Sequence, residues 1–125
     1  MSASSTIAPP ARGEIKVFNL LEDKWTGRGD YIGRPSALGN PYKIGTDGAR
    51  EQVIEKFRHW LWEIIKGAQA GAALGKTERE AWDELNRLKE KSRRGDLNLL
   101  CYCKPLPCHG DVIKSCIEWL REEAD

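Results

Sequence analysis

Little in this chain of 125 residues points toward a membrane or a polyanion. It has almost no net charge, because twenty basic residues against nineteen acidic ones leave +1 with both histidines neutral. No overall field steers it onto nucleic acid or an anionic lipid surface, so any such binding needs a local patch. No apolar run comes near the ~18 residues that a membrane span requires. Residues 1–13 lack both the basic start and the hydrophobic stretch of a secretory signal. The expected compartment is therefore the cytoplasm, where thiols stay reduced. The two histidines also exclude one familiar chemistry. Neither stands in the His-x-Glu pair of a zinc deaminase, since Trp60-Leu61 follows His59 and Gly110-Asp111 follows His109. A Cys-x5-Arg phosphate loop would need arginine at the position that His109 occupies.

What is present describes a globular domain. Hydrophobic residues make up 40% and charged residues 31%, which excludes wholesale disorder. The length suits one domain with one core. Residues 1–13, rich in Ser, Ala and Pro, read as a disordered N-terminal arm, leaving 14–125 as the domain. Ile15 to Leu20 is a β-branched and aromatic run expected to form a first strand, and Tyr31-Ile32 a second. Asp23 to Gly29, around Trp25, reads as a loop. Val53, Ile54, Phe57, Trp60, Leu61, Ile64 and Ile65 recur at helical spacing and predict a helix from about Ala49 to Gly67, with Asp47 or Gly48 as cap. After an Ala/Gly linker, Thr77-Glu78-Arg79-Glu80 fits a capping box for a second helix that ends near Gly95. Leu97 to Cys103 is the clearest strand. Val112, Ile113, Cys116, Ile117 and Leu120 mark a third helix from about Asp111 to Glu123. The order strand, strand, helix, helix, strand, helix implies a small single-domain α/β sandwich around one short sheet.

Chemistry concentrates in Cys101-Tyr102-Cys103-Lys104-Pro105-Leu106-Pro107-Cys108-His109-Gly110-Asp111. Three cysteines and an imidazole there admit three readings. Cys101, Cys103, Cys108 and His109 supply three sulfurs and a nitrogen, a donor set suited to zinc. The spacing is Cys-x-Cys-x4-Cys-His rather than paired Cys-x2-Cys knuckles. Alternatively, Cys108 is a reactive thiol just ahead of a helix N-terminus, with His109 as base and Asp111 as orienter. In the third reading the cysteines are small hydrophobes packed in a sheet face and a turn. Cys101 and Cys103 share a strand face with Cα atoms ~6.6 Å apart, near the upper limit for a disulfide. Cys116 lies within a helical apolar stripe and reads as core.

Gly33-Arg34-Pro35-Ser36-Ala37-Leu38-Gly39-Asn40-Pro41 has no periodicity and reads as a shaped loop, with φ fixed at both prolines. The Arg34 guanidinium suits phosphate or carboxylate, and Gly33, Ser36, Gly39 and Asn40 complete a candidate ligand-binding loop. The competing reading pairs Arg34 with a carboxylate and uses Asn40 to satisfy the turn before Pro41. Among the five tryptophans, Trp60, Trp82 and Trp119 border apolar stripes, while Trp62 falls on the polar side of its helix and marks either a partner surface or a covered edge. Lys89 to Arg94 reads as a solvated helix end or a weak nucleic-acid contact.

The two motifs together, GRPSxLGNP over Gly33–Pro41 and CxCxPxPCHGD over Cys101–Asp111, resemble a small family of domains of unknown function common in bacteriophages and bacteria, over about residues 15 to 120. The resemblance carries no activity. It implies that Gly33, Arg34, Ser36, Gly39, Asn40 and Pro41 share a functional surface with Cys101, Cys103, Cys108 and His109, and that the chain acts inside a bacterial host. The leading expectation is a domain that binds an anionic ligand, a nucleotide or nucleic-acid phosphate, at a Cys/His-organised site, with or without zinc. The alternatives are a cysteine/histidine enzyme acting on a nucleotide-like substrate and a phage protein that binds a host protein through Trp62. No membrane partner is expected.

Overall fold

The structure, a computed structural model, describes residues 13–19, 29–101 and 108–123. The arm up to residue 12, the loop around Trp25, Cys103 and the Pro-Leu-Pro turn lie outside the described residues. Three strands and three helices follow in the expected order: β1 (Ile15–Asn19), β2 (Asp30–Tyr31), α1 (Arg50–Gln69), α2 (Lys76–Arg94), β3 (Leu97–Cys101) and α3 (His109–Glu123). β3 lies in the centre of a parallel sheet ordered β1-β3-β2. Its register pairs Ile15 with Leu97, Val17 with Leu99 and Asn19 with Cys101. Because successive strand residues alternate, this set occupies one face. Ile15, Leu97, Leu99 and Cys101 from that face join Phe57, Leu61, Leu85, Leu88, Ile113, Cys116 and Ile117 in a single core drawn from all three helices. A mixed α/β domain with the sheet's core face against its helices results. No helix among the described residues is long and apolar enough to cross a membrane.

The helix termini depart from the caps that the sequence suggests. The N-cap of α1 is Ala49, and the Gln52 side chain accepts the Ala49 N–H at 2.8 Å. Asp47 instead closes the preceding turn by accepting the Lys43 N–H at 2.8 Å. The Thr77 capping box does not form either. α2 begins one residue earlier, with Gly75 as an N-cap that has no side-chain bond, so Thr77 already lies inside the first turn. A hydroxyl there has passed the position from which it could accept an orphan amide. The expected stop at Gly95 is the C-cap of α2.

Two polar ties hold α2 in place, and one of them uses Lys91, from the Lys89–Arg94 stretch expected as a solvated helix end or a weak nucleic-acid contact. Asp30, on edge strand β2, accepts from Arg87 at 2.8 Å and from Lys91 at 2.6 Å. Partial burial of its carboxyl opposes ionisation, yet Lys91 and Arg87 together hold it below the usual carboxylate range. At the opposite end, buried Arg121 of α3 donates to the Gly13 carbonyl at 2.9 Å and reaches the Ser92 carbonyl at 3.5 Å. Gly13 also donates to Ser92 at 2.7 Å, so the last residue of the expected arm is tied to the end of α2. Trp62 packs against the core and meets Trp119 edge-on at 5.2 Å. Trp119, which borders an apolar stripe in the sequence, keeps 38% exposure.

A candidate site at the carboxyl edge of the sheet

The carboxyl ends of β2 and β3 and the N-terminus of α3 meet at one place. Beyond Tyr31 the chain passes buried Ile32 into the glycine-proline loop, which makes two successive turns: Ser36 N–H donates to Gly33 O at 2.8 Å and Gly39 N–H to Ser36 O at 2.9 Å. Leu38, fully buried, anchors the loop in the core. Asn40 bridges the loop to its surroundings. Its Oδ1 accepts the Tyr42 N–H at 2.8 Å and its Nδ2 donates to the Val53 carbonyl at 3.3 Å. The peptide bond between Arg34 and Pro35 is cis. Gly39 packs directly on Arg34: a Cβ there would stand 2.9 Å from the Arg34 Cα and backbone nitrogen.

Cys108 caps α3 in an unusual version of the capping box. Its sulfur accepts the Gly110 N–H at 3.2 Å, and Asp111 Oδ2 accepts the Cys108 N–H at 3.3 Å. The reciprocal geometry of a Ser-x-x-Glu box is thus made with a thiol and an aspartate. His109 is buried, and its Nε2 lies 2.7 Å from the Ile32 carbonyl. A carbonyl only accepts, so Nε2 carries the proton and Nδ1 presents a lone pair, 3.6 Å from Cys108 Sγ. Asp111, expected as orienter of the imidazole, serves the cap; the Ile32 carbonyl orients the ring, with Phe57 edge-on to it at 5.2 Å.

Burial pushes the His109 pKa below 6.5, and the positive charge of Arg34 pushes the same way; the Ile32 hydrogen bond, Cys101 and Asp111 oppose them without reversing the shift. The unfolded chain therefore binds more protons than the folded one near and below pH 6.5. The contribution to stability is complete above that pH and declines as pH falls, by at most about 1.4 kcal/mol per pH unit. Urea midpoints measured from pH 8 down to pH 5.5 are expected to drop. His109→Gln, whose amide can still donate to Ile32, is expected to flatten that drop.

Gly33, Arg34, Asn40, Cys101, Cys108 and His109 line one open cavity of about 550 Å³. The loop and the sulfur-bearing turn, more than sixty residues apart in the chain, thus share a wall. Ser36, Gly39 and Asp111 shape that wall from outside the lining; Ser36 Oγ is buried without a hydrogen-bond partner among the described residues. The exposed Arg34 guanidinium reaches the Asn40 carbonyl at 3.4 Å, and among the described residues no carboxylate pairs with it. Of the four residues suited to zinc, Cys103 lies outside the described residues, and among the described residues no group of three or more His, Cys, Asp or Glu could hold a metal ion. Cys101 and Cys108 sulfurs stand 3.2 Å apart. Two thiolates on a tetrahedral zinc would stand roughly 3.8 Å apart.

The sequence reading did not single out Tyr31, Tyr42, Lys43 or Arg50, all of which also line the cavity. Tyr31 donates to the Arg34 carbonyl at 2.8 Å, and Lys56 lies 5.9 Å over the Tyr42 ring. Tyr42 and Lys43 directly follow the glycine-proline loop, and Arg50 opens α1, so adjacency to that motif was the available signal. Arg34, Lys43 and Arg50 make a local basic patch on a chain with almost no net charge.

No solved structure matches the chain. It is 30% identical over 84 residues to the ATP-dependent 6-phosphofructokinase of Enterococcus faecalis, an alignment covering 65% of this chain and 26% of that protein. The chain thus spans about a quarter of the length of that curated relative. A second match runs over residues 21–119, from before β2 through most of α3 and so across the whole cavity wall, and by it the chain belongs to the family described as Domain of unknown function (DUF4326).

Proposed function

We propose that the cavity binds a phosphate-bearing small molecule of nucleotide class. The carrying observation is the common wall: Arg34 of the loop and Cys108-His109 at the start of α3 face one space of about 550 Å³ at the carboxyl edge of a parallel sheet. Open α/β sheets bind ligands at that edge, in crevices between loops. The volume suits a small molecule, for which ~300–1,000 Å³ is usual. Arg34, Lys43 and Arg50 supply positive charge, and the amides that open α3 add partial positive charge. Tyr31 and Tyr42 supply flat apolar surface for a base or a sugar. The name of the phosphofructokinase relative, which speaks of ATP, agrees in kind over the short shared region.

Thermal-shift and calorimetric titrations with AMP, ADP, ATP and inorganic phosphate test this reading. At least one nucleotide is expected to raise Tm in a concentration-dependent way. Arg34→Ala should weaken that ligand by roughly tenfold to a hundredfold, the range for one charge-assisted contact of about 1.5–3 kcal/mol. A flat response to all four ligands, or an unaltered Kd in the variant, ends the proposal.

A second reading adds catalysis on the same ligand, with Cys108 as nucleophile and His109 as its base. The Nδ1 lone pair facing Sγ at 3.6 Å and the Gly110 N–H on that sulfur favour it. The lone pair can take the thiol proton, and the N–H steadies the negative sulfur that results. Iodoacetamide labelling of Cys108 no faster than a free cysteine would remove its motive.

A further inference from the structure

Beyond ligand binding, we propose that Cys101 and Cys108 form a redox-active dithiol, which hydroperoxides convert to a reversible disulfide on the cavity wall. The two sulfurs lie 3.2 Å apart, one at the end of β3 and the other at the cap of α3. A disulfide needs them at about 2.05 Å, so closing a gap of little more than 1 Å completes the bond. Both residues are only 1% exposed, yet both border the open cavity, so a small oxidant reaches the sulfurs from the cavity side.

The two sulfurs are not equivalent. Cys108 Sγ accepts the Gly110 N–H at the head of α3 and faces the free Nδ1 of His109. Cys101 Sγ has its described contact with the other sulfur. Cys108 is thus the attacking sulfur and Cys101 the resolving one. With hydrogen peroxide the Cys108 thiol passes its proton to His109 Nδ1 and attacks one oxygen. The S–O bond forms as the O–O bond breaks, and the leaving hydroxide takes that proton to become water. The Cys101 sulfur then attacks the sulfenic sulfur of Cys108. The S–S bond forms, the S–O bond breaks, and the second hydroxide leaves as water with the Cys101 proton. Two thiols lose two electrons and two protons, and the peroxide is reduced to two waters. Cys116 provides an internal contrast: it is buried in the core, borders no part of the cavity, and burial pushes its thiol up to about 12.

The test uses the full chain as the Cys103→Ser variant, so that the neighbouring cysteine cannot stand in. Folded protein is treated with hydrogen peroxide, quenched and weighed by intact mass spectrometry, beside the same chain in urea. The expected result is a monomer lighter by two hydrogens, formed at least tenfold faster when folded and restored by dithiothreitol. Cys101→Ser is expected instead to hold a sulfenic acid at Cys108, trapped by dimedone as one adduct. Circular dichroism establishes that each variant is folded; where Cys101→Ser is not, Cys101→Ala takes its place. A covalent dimer, a rate equal to that of the unfolded chain, or gain of oxygen without loss of hydrogen in Cys103→Ser overturns the proposal. These readouts use no nucleotide, so they stand whether or not the cavity binds one.

Discussion

Truncating Phe57 to alanine is expected to cost the domain about 3–5 kcal/mol. The ring is fully buried in the middle of α1, edge-on to His109 at 5.2 Å and tilted against Trp60 at 5.7 Å. Removing it loses the transfer free energy of the side chain and leaves a cavity between helix and sheet. An aromatic pair adds roughly 0.5–1.5 kcal/mol beyond its buried area. Against the ~5–15 kcal/mol of a typical domain this is a large share, so urea unfolding should show a much lower midpoint with an unchanged slope. Phe57→Leu is expected to recover more than half of the loss. The site should respond as well. Burial is the largest cause of the lowered His109 pKa, so water entering beside the ring should move that pKa back up. An NMR titration of the His109 ring follows it. A loss below about 1 kcal/mol would show that the surroundings close over the gap, contrary to the cavity expected between helix and sheet.

Substituting Gly39 by alanine should strike both stability and binding. The added methyl would meet the Arg34 Cα and backbone nitrogen at 2.9 Å, and backbone cannot swing aside as a side-chain tip does. Overpacking of this kind costs typically about 1–3 kcal/mol. The displaced segment is the one that aims Arg34 and sets its contact with the Asn40 carbonyl, so ligand affinity should fall at least tenfold along with Tm. Gly71→Ala is the control for backbone strain without a clash: its φ is +80°, nothing lies within 4 Å of a Cβ there, and it stands outside the cavity lining. It carries backbone strain without steric contact. It should therefore lower Tm and leave nucleotide affinity nearly unchanged. Equal loss of affinity in both variants would show that the Gly39–Arg34 contact does not position the arginine.

The helices could be read from the chain because their signal is local. Val53, Phe57, Leu61, Ile64 and Ile65 recur with the helical period, and all five are buried in α1. Cap positions were read less well, since they depend on which residue first takes helical geometry. Thr77 carries the right chemistry two residues too late, and Cys108 carries an unexpected chemistry at the right place. The bond from Arg87 to Asp30 spans 57 residues and that from Lys91 spans 61, so no local pattern announced them. Trp62 admits two readings from the sequence, a partner surface or a covered edge, because the helical wheel of α1 does not contain Trp119 of α3, which packs edge-on against it.

By itself the sequence determined the α/β class, the element order, and the two segments in which polar and sulfur chemistry is concentrated, because composition and periodicity act over a few neighbouring residues. Only the tertiary structure decided that β3 runs between β1 and β2, and that this order carries the end of β3 to the loop after β2. From that follow the cavity shared by Arg34 and Cys108, the convergence of Tyr31, Tyr42, Lys43 and Arg50 upon it, and the 3.2 Å between Cys101 and Cys108. The physical reason is that burying one continuous apolar face sets how the strands and helices stack, and side chains distant in the chain meet as a consequence of that packing.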